Sequence, residues 1–318
     1  MQYRTSRQEV TGLVVNRRIN VQPEYRHVAR AMVHNLLKKG TFEVYDATQN
    51  CGKVAIEKRQ GSLNQLHGIL GFIDIVDLRN RDHAEEPEKA PDLSSSELMY
   101  RRFLIYKMFF AAEAPVIICE GETLAGTTAQ GKIILKVRFY KYRRSSTARI
   151  TGLDGGSGCL KTFISMYKKE TAKFTAPGEK NPIIILYDND SGAPGIRSVI
   201  KQVSGKVVNG TEPFVHVVRN LYAVPTPLLN GAQESKVEDF FEAAVKASVV
   251  GGKTFDPGSK FDTATHYGKK IFAYGVVRPG ANSINFTGFR PLLSNLVSVI
   301  KSHAAAAAKV APPIGATS

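Results

Sequence analysis

Cysteine is scarce in this chain, and its placement removes two classes of function. There are three, Cys51, Cys119 and Cys159, and no two stand at the spacing of a zinc site or a dithiol redox motif. They read as reduced thiols of a cytoplasmic protein, with Cys119 a buried strand residue. Long apolar runs are missing too, so there is no candidate bilayer span, and no secretory leader is recognisable. No internal repeat is evident, and the only low-complexity stretch is the Ala-rich end. Acids are outnumbered, 28 Asp and Glu against 43 Lys and Arg, which leaves a net charge of +15. Such an excess favours polyanionic partners, nucleic acid foremost. The apolar and charged fractions are ordinary, so the chain should be globular, and 318 residues suffice for two or three domains with real cores.

What is present is organised around Ile183–Gly192. A run of aliphatic residues ending in Asp188-Asn189-Asp190-Ser191-Gly192 is what a buried strand looks like where it emerges at the carboxyl edge of a sheet. Open α/β sheets place ligands at that edge. Asp188 and Asp190 are two apart, so extended backbone turns both carboxylates to one side. Their repulsion would be relieved by a hard divalent cation such as Mg²⁺. A plain polar turn after a strand uses the same residue types.

Toward the amino end, Val10–Asn16 fits a strand or hairpin. A helix is expected from Pro23 to Lys39 with Gly40 as its stop, Val28, Met32 and Leu36 giving one apolar face. Arg7-Gln8-Glu9-Val10-Thr11-Gly12-Leu13-Val14-Val15-Asn16, followed by Glu24-Tyr25-Arg26 and Arg30-Ala31-Met32, resembles the end of the palm and the start of the thumb in bacterial retron reverse transcriptases, with Val10-Thr11-Gly12 as the family's motif. The likeness continues through Gly68–Ile73 to about residue 80. It implies contact with a structured RNA and with the RNA–DNA hybrid product, through Arg7, Thr11, Arg17, Arg18, Arg26 and Arg30. The family's palm should already have finished before Met1, and the sequence holds no Tyr-x-Asp-Asp, so polymerase activity is not expected of this chain alone.

Residues 82–97, rich in Pro, Ser and acids, read as a linker. A helix carrying Leu98, Phe103, Leu104, Met108 and Phe109 follows and leads into Pro115–Cys119 and Glu120-Gly121. An apolar strand ending in Glu-Gly, then a glycine-rich turn, then an apolar strand ending in Asp-x-Asp-x-Gly, resembles the TOPRIM domain of topoisomerases, primases and a class of nucleases. Glu120, Asp188 and Asp190 match its acids. Some retron reverse transcriptases are similar in carrying such a domain as an anti-phage effector. One departure is that Leu124 stands where the family has Asp. Another is the lack of a helical stretch before a strand expected at 132–139, which implies a crossover too short for a regular parallel sheet.

Lys132–Arg149 interleaves bases, among them Lys141, Arg143 and Arg144, with Phe139, Tyr140 and Tyr142, a pattern suited to phosphate contact and base stacking. Strand core followed by a solvated loop is the bland reading. Gly152–Gly158 opens a helix and could offer N–H groups to a phosphate, although it matches no nucleotide fingerprint. A helix to Val203 and strands near 214–218 and 222–224 come next. A helix beginning at Glu234 would put Glu234 and Glu238 on one face as ligands for a second cation. Gly251-Gly252-Lys253-Thr254 lacks the first Walker glycine, since Ala247 holds its place. His266-Tyr267-Gly268-Lys269-Lys270 resembles a late segment of TOPRIM nucleases of the overcoming-lysogenisation-defect type, in which a lysine assists catalysis; Lys269 is the candidate. A last helix spans 291–303, and the tail from Ala304 should fray.

The expected fold is α/β: a mainly helical thumb-like region (1–81), the linker (82–97), a TOPRIM-like, Rossmann-like domain with a largely parallel sheet (98–210), an α+β extension (211–303) and a disordered tail (304–318). The expected function is a Mg²⁺- or Mn²⁺-dependent nuclease with Glu120, Asp188, Asp190 and Lys269 at its centre. It would act in the bacterial cytoplasm on nucleic acid, away from membranes, and self-association is compatible with it. The rival is a non-catalytic nucleic-acid-binding remnant.

Overall fold

The computed structural model describes residues 9–10, 13–15, 19–50, 53–82, 93–120, 137–142, 145–258 and 260–310. The protein is mixed α/β, about half helical, and its largest sheet has five strands, most of them parallel. The chain divides into two compact units, residues 1–110 with 145–151 and 169–178, and residues 111–144 with 152–168 and 179–318.

In the first unit, β1 (Glu9–Val10) and β2 (Leu13–Val14) pair antiparallel where a strand or hairpin was expected, and β3 (Asn20–Val21) joins β2. Helix α1 (Pro23–Lys39) starts on its proline and ends at Gly40, whose φ of 80° lets its N–H close on the Leu36 carbonyl at 2.8 Å. Its buried face is Ala29, Met32, Val33, Leu36 and Leu37, whereas Val28 is 52% exposed. A four-residue repeat drifts about 40° per step around a 3.6-residue helix, so the expected stripe leaves the core at Val28. A hairpin of β4 (Glu43–Asn50) and β5 (Lys53–Gln60) was not legible, because polar residues such as Asp46, Thr48, Lys53 and Glu57 give it no apolar alternation. Helix α2 spans Leu63–Asp82. Helix α3 (Ser95–Ile105) begins inside the serines, with Ser94 and Glu97 capping each other, and continues as a π-helical turn at Tyr106–Phe110. Residues 94–97 are therefore the cap and first turn of a helix, and 83–92 lie outside the described residues. The short helix α4 (Ser146–Thr151) completes the unit's described helices.

The second unit is built on β6 (Val116–Cys119), β7 (Arg138–Phe139), β8 (Ile183–Tyr187), β9 (Val215–Val218) and β10 (Leu221–Pro225), in the order β7-β6-β8-β10-β9. All neighbours are parallel except β9 and β10. β9 and β10, from the expected extension, continue the sheet that contains β6 and β8. The described part of β7, Arg138–Phe139, pairs in parallel with β6, and the expected short crossover falls on the residues before it. Residues 121–136 themselves lie outside the described residues.

Every residue of β6 and β8 is buried, as strands covered on both faces must be. Ile117, Cys119, Ile184, Leu186, Tyr222 and Val224 share one core with Leu292, Leu296 and Val299 of the last helix, α9 (Arg290–Val310). Val116, Ile118, Ile183 and Ile185 alternate to the other side. Helix α9 runs past His303 to Val310, because alanine is the strongest helix former and Ala304–Ala308 propagate it. Two longer connecting helices are α5 (Gly156–Thr171), whose last three residues belong with the first unit, and α6 (Ala193–Ser204). Short elements follow: a 3₁₀ turn at Val237–Phe240, α7 (Ala243–Lys246), the parallel pair β11 (Thr254–Phe255) and β12 (His266–Tyr267), and α8 (Lys269–Ile271), which leads into a π-helical turn at Phe272–Val277.

Candidate active site

Strand β6 hands over to Glu120 and strand β8 to Asp188, side by side at the carboxyl edge of the sheet. β7 lies on one side of β6 and β8 on the other, so the connections leave in opposite directions. A crevice at such a reversal of strand order is where open α/β sheets take ligands.

The acids interlock through the backbone. Glu120 Oε2 accepts from the Asp188 N–H at 3.2 Å, and Asp188 Oδ1 accepts from the Val237 N–H at 3.1 Å. Asp190 Oδ1 accepts from the Gly192 N–H at 2.8 Å, and its Oδ2 lies 3.6 Å from Lys236 Nζ. Lys269 Nζ stands 3.4 Å from Asp188 Oδ2 and 3.0 Å from Glu238 Oε2. The second contact has the distance of an ion pair but not hydrogen-bond alignment, so Glu238 Oε2 is buried with no aligned donor.

Asn189 holds the two aspartates in place from the opposite side. Its side chain, 2% exposed, donates to the Gly210 carbonyl at 2.8 Å and accepts from Arg197 Nη2 at 2.9 Å. Its backbone N–H reaches Thr226 Oγ1 and the Ser235 carbonyl, both at 2.9 Å. Gly210 has φ +93°, and a Cβ there would lie 2.6 Å from Asn189 Oδ1, so glycine is required twice over. With Asn189 turned inward, extended backbone turns Asp188 and Asp190 the other way.

Electrostatically the group carries more acid than its bases neutralise. Burial pushes Asp188 up to about 6; Lys269 opposes the shift, and Glu238 and Glu120 add to it. Burial also raises Glu120, against the Asp188 N–H that favours its charged form and with the Asp190 charge raising it further. For Lys269, burial works to lower the pKa, but Glu238 and Asp188 outweigh it and leave it raised.

Of the residues expected at a site, Glu120, Asp188, Asp190, Glu238 and Lys269 come together in the second unit. Glu234 does not join them. Ser235 pairs with Asn189 through both backbone groups, so the chain is extended there, the expected helix cannot start at 234, and Glu234 stays exposed. Glu238 reaches the acids on the 3₁₀ turn instead. In the first unit Arg26 pairs with Asp77, with Nη2 at 2.6 Å and Nη1 at 2.9 Å, and with Asn20 at 2.7 Å. Arg30 and Lys141 are exposed, while Arg7, Thr11, Arg17, Arg18, Arg143 and Arg144 lie outside the described residues. Phe139, Tyr140 and Tyr142 are buried, and the Tyr142 hydroxyl donates to the Cys119 carbonyl, so these rings are core rather than stacking platforms. The Gly156 N–H is spent on the Glu120 carbonyl at 2.9 Å, which makes the glycine loop a support for Glu120 before any phosphate role. Gly251 and Gly252, both at positive φ, form a tight turn between Val250 and Lys253.

Two contributors were missed. Lys236 stands beside Asp190, and the only signal was its place two residues before Glu238. The Asn189 clamp depends on Gly210 and Thr226, far away in sequence, and left no local signature.

Hard oxygen donors of this kind suit Mg²⁺ or Mn²⁺, and the raised acids and the undonated Glu238 oxygen fit a cation. No ready-made cage of three acidic, His or Cys side chains occurs among the described residues. Mg²⁺ keeps several waters and needs only one or two carboxylates. No helix among the described residues is long and apolar enough to cross a membrane. No protein-family model matches the chain, and no solved structure matches it significantly.

Proposed function

We propose that the second unit is a Mg²⁺- or Mn²⁺-dependent phosphodiesterase of TOPRIM type that cleaves nucleic acid, in a chain whose first unit binds structured RNA or an RNA–DNA hybrid as a retron reverse transcriptase thumb does. An anti-phage role belongs to the same proposal and rests on the resemblance alone. The observation that carries the catalytic reading is the surplus of partly buried acid at the crevice between β6 and β8, with Asp188 raised to about 6 beside Glu120 and Glu238. Such perturbed acids at a ligand-taking edge mark functional sites more often than structural ones.

In this reading Asp188, Asp190 and Glu120 hold the cation, with Glu238 beside them. The bound ion supplies Lewis acidity and lowers the pKa of an attacking water. Asn189 fixes the two aspartates in position. Glu120 is alternatively the general acid/base, exchanging a proton at its carboxylate with the water or the leaving oxygen in place of holding the ion. Lys269 Nζ and Lys236 Nζ neutralise charge that develops on the phosphate.

The test is incubation of the purified chain with mixed RNA, transfer RNA and single-stranded DNA, with Mg²⁺, Mn²⁺ or chelator, beside Asp188→Ala. Metal-dependent cleavage that the variant lacks is expected. The rival reading, a binding module without catalysis, is favoured by the pairing of Lys269 with Asp188 and Glu238. Salt-sensitive binding without cleavage by either protein would establish the rival in its place.

A further inference from the structure

Lys269 has two jobs that one position cannot serve. As a catalytic cation it must face the substrate phosphate, yet its Nζ lies 3.0 Å from Glu238 Oε2 and 3.4 Å from Asp188 Oδ2, between carboxylates that a metal would use. Two cations cannot share those oxygens at such distances, since like charges about 4 Å apart repel by several kcal/mol at a partly buried site. The side chain has freedom to leave: it is 34% exposed, whereas those of Asp188 and Glu238 are 12% and 7% exposed and fixed by their strand end and turn. The Glu238 oxygen that faces Lys269 has no aligned donor, as expected of a ligand atom held by a stand-in.

We propose that the Lys269 ammonium is a resident counter-ion at the divalent-cation site, competing with the metal for Asp188 and Glu238, and that metal entry releases it toward the substrate phosphate. This rests on the metal-dependent reading above and adds an order of events: Lys269 adopts its catalytic position only once the site is loaded. Without metal the lysine offsets part of the charge of Asp188 and Glu238 and occupies the oxygens that a cation would use.

The experiment titrates Mn²⁺ calorimetrically, without substrate, into the wild-type chain, Lys269→Met and Lys270→Met. Lys270 is the neighbouring exposed lysine and controls for the loss of one positive charge. Competition predicts at least about tenfold tighter Mn²⁺ binding by Lys269→Met and a change of twofold or less in Lys270→Met. Equal gains in both variants, or none in Lys269→Met, would overturn the competition while leaving the metal site standing. No Mn²⁺ binding by any of the three would overturn the metal-dependent reading together with it.

Should Lys269→Met fail to fold, the wild-type chain decides by amine labelling of Lys269, read by peptide mass with chelator and with Mg²⁺. Labelling of Lys269 that rises with Mg²⁺ while Lys270 stays constant is expected. Equal labelling in both conditions would contradict the release.

Discussion

In the first unit Asp74 and Glu97 are 3% and 1% exposed, and arginines meet them: Arg149 reaches both, and Arg81 Nη2 lies 2.7 Å from Glu97 Oε1. The Ser94 N–H adds a hydrogen bond to Glu97 Oε2 at 2.9 Å. Burial alone would raise Glu97, but Arg81, Arg149 and Ser94 together bring it down to about 2. In the second unit the Asp188 and Glu238 side chains, 12% and 7% exposed, share one lysine, and Asp188 rises to about 6. Burial is common to both sites, so it cannot separate them; the ratio of bases to acids does. A network matched by arginines is a staple, and a group left short of positive charge has room for a cation.

The contrast breaks most visibly at Arg149. Arg149→Met strands the buried Asp74 carboxylate and takes one of two arginines from Glu97, and should cost about 3–5 kcal/mol in a denaturant titration. Its counterpart Asp188→Asn removes an acid from a crowded group and should cost less than about 1 kcal/mol, or stabilise, while metal-dependent cleavage falls a hundredfold or more.

Acid should sharpen the contrast in opposite directions, by about 2 kcal/mol lost at Glu97 and about 3 kcal/mol gained at Asp188, read from melting in chelator between pH 7 and 3. Glu97 is depressed from 4.5 to about 2, so its contribution is present above 4.5 and is lost as pH falls toward 2. Asp188 is raised from 3.8 to about 6, so its contribution is fully present below 3.8 and is lost as pH rises through 6. Glu97→Gln should remove the first trend and Asp188→Asn the second.

A smaller effect is expected at the clamp. Gly210→Ala would press a methyl against Asn189 Oδ1 at 2.6 Å in a backbone conformation with φ +93°. It should cost about 1–3 kcal/mol and weaken Mn²⁺ binding by displacing the aspartates, whereas Gly251→Ala, also at positive φ but with open space around it, should cost about 1 kcal/mol and leave Mn²⁺ binding unchanged.

What could be read from the sequence was what is encoded locally. Pro23 and Gly40 bracket α1, and the aliphatic runs at 116–119 and 183–187 mark the parallel strands with Glu120 and Asp188 at their ends. What could not be read depends on contacts between distant residues. The buried fate of Tyr140 and Tyr142, the pairing of Arg26 with Asp77 and the Asn189–Gly210 contact are set by partners that no window of sequence contains. The β4–β5 hairpin was missed for another reason: its pairing is carried by backbone hydrogen bonds in a polar sequence, where hydrophobic periodicity has nothing to report. The helix expected at Glu234 failed because tertiary pairing of Ser235 with Asn189 overrides helix propensity.

The measurement that bears most directly on the central claim is made on Asp188→Asn alone: unfolding free energy and Mg²⁺-dependent cleavage of nucleic acid, each beside the wild-type chain. Undiminished stability with cleavage abolished is expected of an acid kept for a cation. A loss of stability like that of Arg149→Met, with cleavage unchanged or absent from both proteins, would show that the acids at the sheet edge are a structural network and would contradict the catalytic reading.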